Sequence, residues 1–296
     1  MKILLLGSNG QVGFELARSL LPLGELVSLN RLQADFTDLE SLRATVQTIR
    51  PDVIVNAVAY TAVDKAEAER ETAFLINAQA VEVLAQEAKN LNALLIHYST
   101  DYVFDGTKTT PYFENDATNP LNVYGESKLA GELAIEKTGG DYLIFRTTWV
   151  FAARGQNFVN SILRLAAERE ELNIVADQIG APTWARLIAD TTAHCVCQAM
   201  QERRMNRFES GIFNLTSDGE TSWFEFAQKI VELARAKKVE FKNRVINPIP
   251  TSAYPTPAKR PANSRLSTDK LSQRFYVKMP DWQETLKLCL EKKYGK

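Results

Sequence analysis

Two side chains in Tyr124-Gly125-Glu126-Ser127-Lys128 have the types and spacing for proton transfer. Residues four apart share one face of a helix. A free tyrosine has a pKa near ~10, too high for an efficient proton donor at neutral pH. A nearby ammonium favours the phenolate and lowers that value. The spacing alone also suits a surface pair, so what surrounds it decides. Ahead of it lies His97-Tyr98-Ser99-Thr100-Asp101-Tyr102, read as the end of a strand. Ser99 or Thr100 would hydrogen-bond a substrate carbonyl there, or cap the next turn. His97, inside the strand, reads as a packed residue.

A second constellation opens the chain. Gly7-Ser8-Asn9-Gly10-Gln11-Val12-Gly13 follows an apolar run and starts a helical pattern. This is the context of a dinucleotide fingerprint: a tight turn at Gly7, backbone approach to a pyrophosphate at Gly10, and close helix packing at Gly13. The helix N-terminus offers free N–H groups and partial positive charge to phosphates. An acidic residue ending the second strand would hold a ribose 2′-hydroxyl. This chain has Asn30-Arg31 instead, which favours NADPH over NADH because arginine pairs with a 2′-phosphate. Asp35-Phe36 would flank the adenine, and the small residues of Asn56-Ala57-Val58-Ala59-Tyr60-Thr61 would let the chain lie against the cofactor.

Positioning these groups requires alternating strands and helices. Apolar runs predict strands at 3–6, 26–29, 53–55, 93–98 and 142–146, with helices at 11–21, 39–49, 69–89 and 121–137. Strands this apolar imply a parallel sheet covered on both faces. The expected fold is therefore α/β: a Rossmann-type doubly wound parallel sheet with a smaller C-terminal α/β substrate-binding domain. Residues 1–148 form the NAD(P)-binding part and 149–296 mainly the substrate-binding part, some segments returning to the sheet. Beyond 149, helices are expected at 157–170, 184–200, 222–237 and 281–291, and short strands at 173–175 and 212–215. The proline-rich stretch 248–261 reads as turns in a loop wrapping the body.

A net charge of -1, with only short basic pairs at Arg203-Arg204 and Lys237-Lys238, gives no basic stripe for nucleic acid. Cys195, Cys197 and Cys289 cannot all pair with one another, and Cys195-x-Cys197 lacks zinc-clamp spacing, so the thiols read as core residues in a reducing compartment. MKILLLG enters a glycine turn too soon for a signal peptide, and no apolar run is long enough to span a membrane. A cytoplasmic protein is expected.

Together these segments resemble the extended short-chain dehydrogenase/reductase superfamily, whose members act on nucleotide sugars. Within it, RPDVIVNAVAYTAVDKAE, HYSTDYVFDG, PLNVYGESKLAGE, FRTTWVF, DQIGAPT and AYPTPAKRPANSRL are similar to the dTDP-4-dehydrorhamnose reductase family, over residues 1 to about 282. The resemblance implies hydride transfer from NADPH or NADH to C4 of dTDP-6-deoxy-L-lyxo-4-hexulose, ending dTDP-L-rhamnose synthesis for a cell-surface polysaccharide. Tyr124 would protonate the alkoxide, Lys128 would tune Tyr124 and bind the ribose, and Thr100 would orient the carbonyl. Gly10, Gln11, Val12, Asp35, Phe36, Ala59, Tyr60, Thr61 and Tyr98 would contact the cofactor. Thr100, Asp101 and Trp149 would contact the sugar, with the GAPT segment and Arg260 elsewhere in the substrate site.

The chain departs from the family pattern twice. Asn30 replaces a common aspartate. Some relatives dimerise through carboxylates around Mg²⁺; Glu15 is a candidate ligand, but Trp184-Ala185-Arg186 puts a cation where another carboxylate is expected, which argues against the metal. Monomer and homodimer both remain open. So do two other functions: a nucleotide-sugar epimerase or dehydratase, which would recycle its dinucleotide, and a non-catalytic NADP-binding subunit like that of methionine adenosyltransferase.

Overall fold

Side-chain alternation along the strands sets the layers. The computed structural model describes residues 1–295. Strands β1 (Lys2–Leu6), β2 (Glu25–Leu29), β3 (Val53–Asn56), β4 (Leu94–Thr100) and β5 (Tyr142–Thr147) join Gly211–Asn214 in a six-stranded sheet. Every pairing in it is parallel, as expected for strands buried on both faces. Ile3, Leu5, Val53, Val55, Ile96 and Phe145 point into one core; Leu4, Leu6, Ile54, Leu95 and Ile144 point into the other.

The helices preceding and flanking the site are α1 (Gln11–Ser19), α2 (Leu39–Ile49), α3 (Val63–Ala66), α4 (Arg70–Phe74), α5 (Ala80–Asn90) and α6 (Val123–Thr138). Leu16 and Leu20, in and just after α1, close the first core together with Ile188 and Val196 of the helix Ala185–Arg204. Residues of α2, α5 and α6 close the second. The sheet runs Gly211–Asn214, β5, β4, β3, β1, β2, so its order reverses between β1 and β3. Such a switch point opens a crevice beyond the carboxyl ends of the strands.

The helix expected at 69–89 is not continuous. It is α4, then a π-helical turn Leu75–Gln79, then α5. The wider turn swings Asn77 inward, where its side chain clamps both backbone groups of Tyr60 and donates to Ser127. Insertions of this kind occur often at functional sites.

After Val150–Phe151 a third core forms from the helices Phe158–Glu168, Trp223–Ala236 and Trp282–Tyr294. Part of the proline-rich stretch is a strand, not a turn: Val245–Ile249, containing Pro248, pairs in parallel with Glu171–Val175. A two-stranded ribbon has only edge strands, which tolerate a proline. The helix Asp269–Phe275 was not anticipated; Leu271 and Phe275 bury themselves in the first core. All three cysteines are free, and Cys195 and Cys289 are buried. Among the described residues no helix is long and apolar enough to cross a membrane.

Candidate active site

α6 is seated by contacts at its first turn. The Asn122 side chain caps it, accepting from Gly125 N–H at 2.8 Å. Glu67 Oε1 accepts the Val123 N–H at 2.9 Å, so the VDKAE segment holds the start of this helix. Gly125 is needed for close approach: a Cβ there would lie 2.2 Å from the Tyr102 carbonyl oxygen. This seating brings Tyr124 and Lys128 to the carboxyl end of β4. The Tyr124 ring meets Tyr102 edge-on, with centroids 5.4 Å apart. Thr100 donates to Asp101 Oδ1 at 3.1 Å and accepts from Tyr102 N–H.

Lys128 is only 1% exposed, an unusual place for a cation. Its Nζ lies 2.6 Å from the Tyr98 carbonyl oxygen and 3.1 Å from His97 Nε2. Burial lowers its pKa to about 8, against an opposing pull from Glu132. Burial also raises the Tyr124 phenol well above its ordinary value, opposed by a hydrogen bond with Thr100. The expected lowering by Lys128 is therefore not expressed in this arrangement: the lysine nitrogen is engaged by β4, and desolvation dominates the phenol. Asp101 is raised to about 6 by burial. Among the described residues, Ser99 Oγ and Asp101 Oδ2 are buried without a hydrogen-bond partner.

The crevice between β1 and β3 holds a cleft of ≈ 340 Å³ lined by Gly7, Gly10, Arg31, Asp35, Phe36 and the small residues 57–62, including Ala59, Tyr60 and Thr61. Gly7 has φ +83°, and a Cβ on Gly13 would fall 2.0 Å from Gly7 O, so only glycine permits this loop against α1. No side chain caps α1, leaving its first N–H groups, at Gln11, Val12 and Gly13, open to an anion. This cradle fits a dinucleotide pyrophosphate. Asp35 is held ionised by the backbone and hydroxyl of Thr37.

Three expected cofactor residues turn elsewhere. Asn30 uses its side-chain oxygen to accept from Leu32 N–H within its own turn. The Gln11 side chain accepts from Asn157 Nδ2, tying the glycine loop to the helix Phe158–Glu168 of the third core. Tyr98 sends its hydroxyl to Thr192, and only its carbonyl faces Lys128.

On the opposite side, Trp149 adopts φ 45° and stacks on Trp223 with ring centroids 3.6 Å apart. Gly180 of the DQIGAPT segment makes room, since a Cβ there would lie 2.6 Å from the Trp149 ring. Arg260 pairs with Asp64 at 2.8 Å, and Asp64 also receives the Ala258 N–H, so VDKAE anchors the 258–260 segment as well as α6. Glu15 is buried and bound to Lys292 at 2.5 Å, with Arg18 at 3.5 Å. Its charge is already balanced within the chain, and Arg186 leans towards Asp190 nearby.

Sequence reading missed Asn56, Glu67, Asn77 and the second role of His97. His97 is fully buried, as a packed strand residue should be, but both ring nitrogens are engaged, by Asn56 and Lys128. The signal available was a histidine inside one apolar strand and an asparagine ending its neighbour.

The RmlD substrate binding domain family model matches residues 1–294. The chain is 57% identical to a dTDP-4-dehydrorhamnose reductase of Burkholderia thailandensis over 98% of both chains. It is 50% identical to that of Escherichia coli K12, over 98% of this chain and 97% of the relative. The Bacillus anthracis dTDP-4-dehydrorhamnose reductase, solved with NADP, superposes with a TM-score of 0.87 at 34% identity, covering 98% of this chain and 99% of that one. A glycine cradle, a tyrosine–lysine pair at the strand ends and full-length similarity at this level agree: the chain belongs to the dTDP-4-dehydrorhamnose reductase family.

Proposed function

We propose that this chain catalyses the NADPH-dependent reduction of the C4 keto group of dTDP-4-dehydro-β-L-rhamnose to dTDP-β-L-rhamnose. The observation that carries the reading is the gathering of half-buried Tyr124 with buried Lys128 and Thr100 at the carboxyl edge of a sheet whose switch point holds a phosphate cradle. NADPH supplies the hydride. Tyr124 donates its proton to the oxygen developing at C4. Its high pKa does not prevent this, because an alkoxide is more basic than a phenolate and the step runs downhill. Thr100 orients the carbonyl and the phenol, and Lys128 holds the ribose. Asp101 and Trp149 receive the sugar, and Arg260, already paired with Asp64, borders the substrate site. Gly7, Gly10, Gln11, Val12 and Gly13 hold the pyrophosphate through backbone groups. Arg31 meets the 2′-phosphate, and Asp35, Phe36, Ala59, Tyr60 and Thr61 take the adenosine end.

Residues 1–148 serve the dinucleotide in this reading, and 149–296 mainly the sugar, while Gly211–Asn214 extends the sheet. The place of action is the cytoplasm, where the activated sugar and NADPH meet. The test is a reaction of purified protein with the dTDP-4-keto sugar and NADPH. One NADPH oxidised per dTDP-rhamnose formed supports the reading. Product formed with the dinucleotide recycled points to an epimerase or dehydratase. Dinucleotide binding without turnover points to a binding subunit.

A further inference from the structure

Hydrogen-bond polarity around Lys128 permits one arrangement of protons. Asn56 Oδ1 accepts the Val58 N–H at 3.0 Å, which fixes the carboxamide and turns its NH₂ towards His97 Nδ1 at 3.1 Å. A carboxamide nitrogen only donates, so Nδ1 must accept, and the neutral imidazole carries its proton on Nε2. That Nε2–H points at Lys128 Nζ, 3.1 Å away. An ammonium has no lone pair to receive it, whereas an amine does, and keeps N–H groups for the Tyr98 carbonyl at 2.6 Å. We propose that His97, held in one tautomer by Asn56, is a positioning residue that sets the protonation of Lys128: at alkaline pH the free enzyme holds Lys128 as an amine, and a proton enters from solvent when the dinucleotide binds.

The surrounding charges agree. Glu132, one turn along α6, is the carboxylate nearest in sequence on the same face, and Arg146 of β5 already neutralises it through two hydrogen bonds at 2.9 and 2.6 Å. On the other side of Lys128 stand Tyr124 and the buried Asp101, with Arg260 beyond Tyr102. His97 itself is held neutral by burial. A polyanion laid across the strand ends favours the ammonium. The lysine's pull on the Tyr124 phenol, missing in the free chain, would then arrive with the cofactor. This deepens the reductase reading and rests on it for that consequence.

Nitrogen-15 NMR of the free protein tests the tautomer directly, because His97 and His194 are the two histidines of the chain and His97→Gln assigns them. A proton on His97 Nε2, with Nδ1 bare, is expected; a proton on Nδ1 overturns the proposal. Calorimetry of NADPH binding in two buffers of different ionisation enthalpy then reads proton uptake. At about pH 9, above the ~6 second ionisation of a phosphate monoester, uptake approaching one proton is expected. No uptake overturns the proposal. Asn56→Asp reverses the polarity, since its carboxylate accepts the Nδ1–H and leaves Nε2 to accept from an ammonium. The uptake should vanish in it, and the alkaline limb of kcat/KM should rise by about one pH unit. Unchanged uptake and an unmoved limb in that variant also overturn it. Neither NMR nor calorimetry needs the sugar, so failed turnover would sink the reductase reading without touching the tautomer.

Discussion

Two buried basic side chains, one from the sheet and one from α6, lie between that helix and the sheet, and they are partnered differently. Towards the C-terminal end, Arg146 from β5 is 3% exposed and grips Glu132 through two hydrogen bonds, with a third to the Glu114 carbonyl. One turn earlier, Lys128 is equally buried but has a carbonyl and an imidazole for partners, and no carboxylate within reach. A buried cation with a paired carboxylate holds its charge and serves architecture. A buried cation without one shifts its pKa, the usual mark of a functional group. In the proposed reaction the turn of α6 that lacks a paired carboxylate is the one that serves chemistry, a reading that does not depend on the Tyr-x-x-x-Lys spacing.

The strongest way to sharpen this contrast is to replace each group in turn. Tyr124→Phe should lose about 10³-fold in turnover while keeping its fold and NADPH binding, read by steady-state NADPH oxidation and fluorescence titration. Glu132→Ala leaves Arg146 buried and unpaired and should cost about 3–5 kcal/mol in chemical denaturation. Lys128→Met should do the opposite for stability, raising the melting temperature while removing activity, because it deletes an under-compensated charge. A lower melting temperature in Lys128→Met would erase the distinction between the two turns.

The pH dependence follows from the same group. The folded pKa of Lys128, about 8, lies below its unfolded value, so the unfolded chain binds more protons between them. Lys128 therefore contributes a stability that rises as pH rises from about 8 towards ~10.4, and this increment should be missing in Lys128→Met melts over that range. The smallest effect expected is at the cofactor end, where Arg31→Ala should reduce the preference for NADPH over NADH about tenfold, by loss of one charge-assisted hydrogen bond. An unchanged ratio would remove Arg31 from the 2′-phosphate site.

What the sequence made legible were local patterns. The glycine loop, the alternation of apolar strands and helices, and the i, i+4 pair each lie within a short stretch and obey rules of turn and period. What it hid depends on distance. Asn56 and His97 are 41 positions apart and meet only because β3 and β4 are paired in register. Glu67 reaches the first turn of α6 across 56 positions. The π-helical turn at Leu75–Gln79 buries Asn77 inside a stretch whose composition reads as ordinary helix, and Pro248 disguises an edge strand as a turn. The expected influence of Lys128 on Tyr124 failed for a related reason: spacing places two groups on one face but does not say which neighbour each will choose.

The central claim is that Tyr124 delivers the proton during reduction. Single-turnover stopped-flow of Tyr124→Phe, preloaded with NADPH and mixed with the dTDP-4-keto sugar, tests it most directly. The account predicts NADPH affinity within about threefold of the wild type and hydride transfer slowed about 10³-fold. Hydride transfer at the wild-type rate in a folded, NADPH-saturated variant would contradict it.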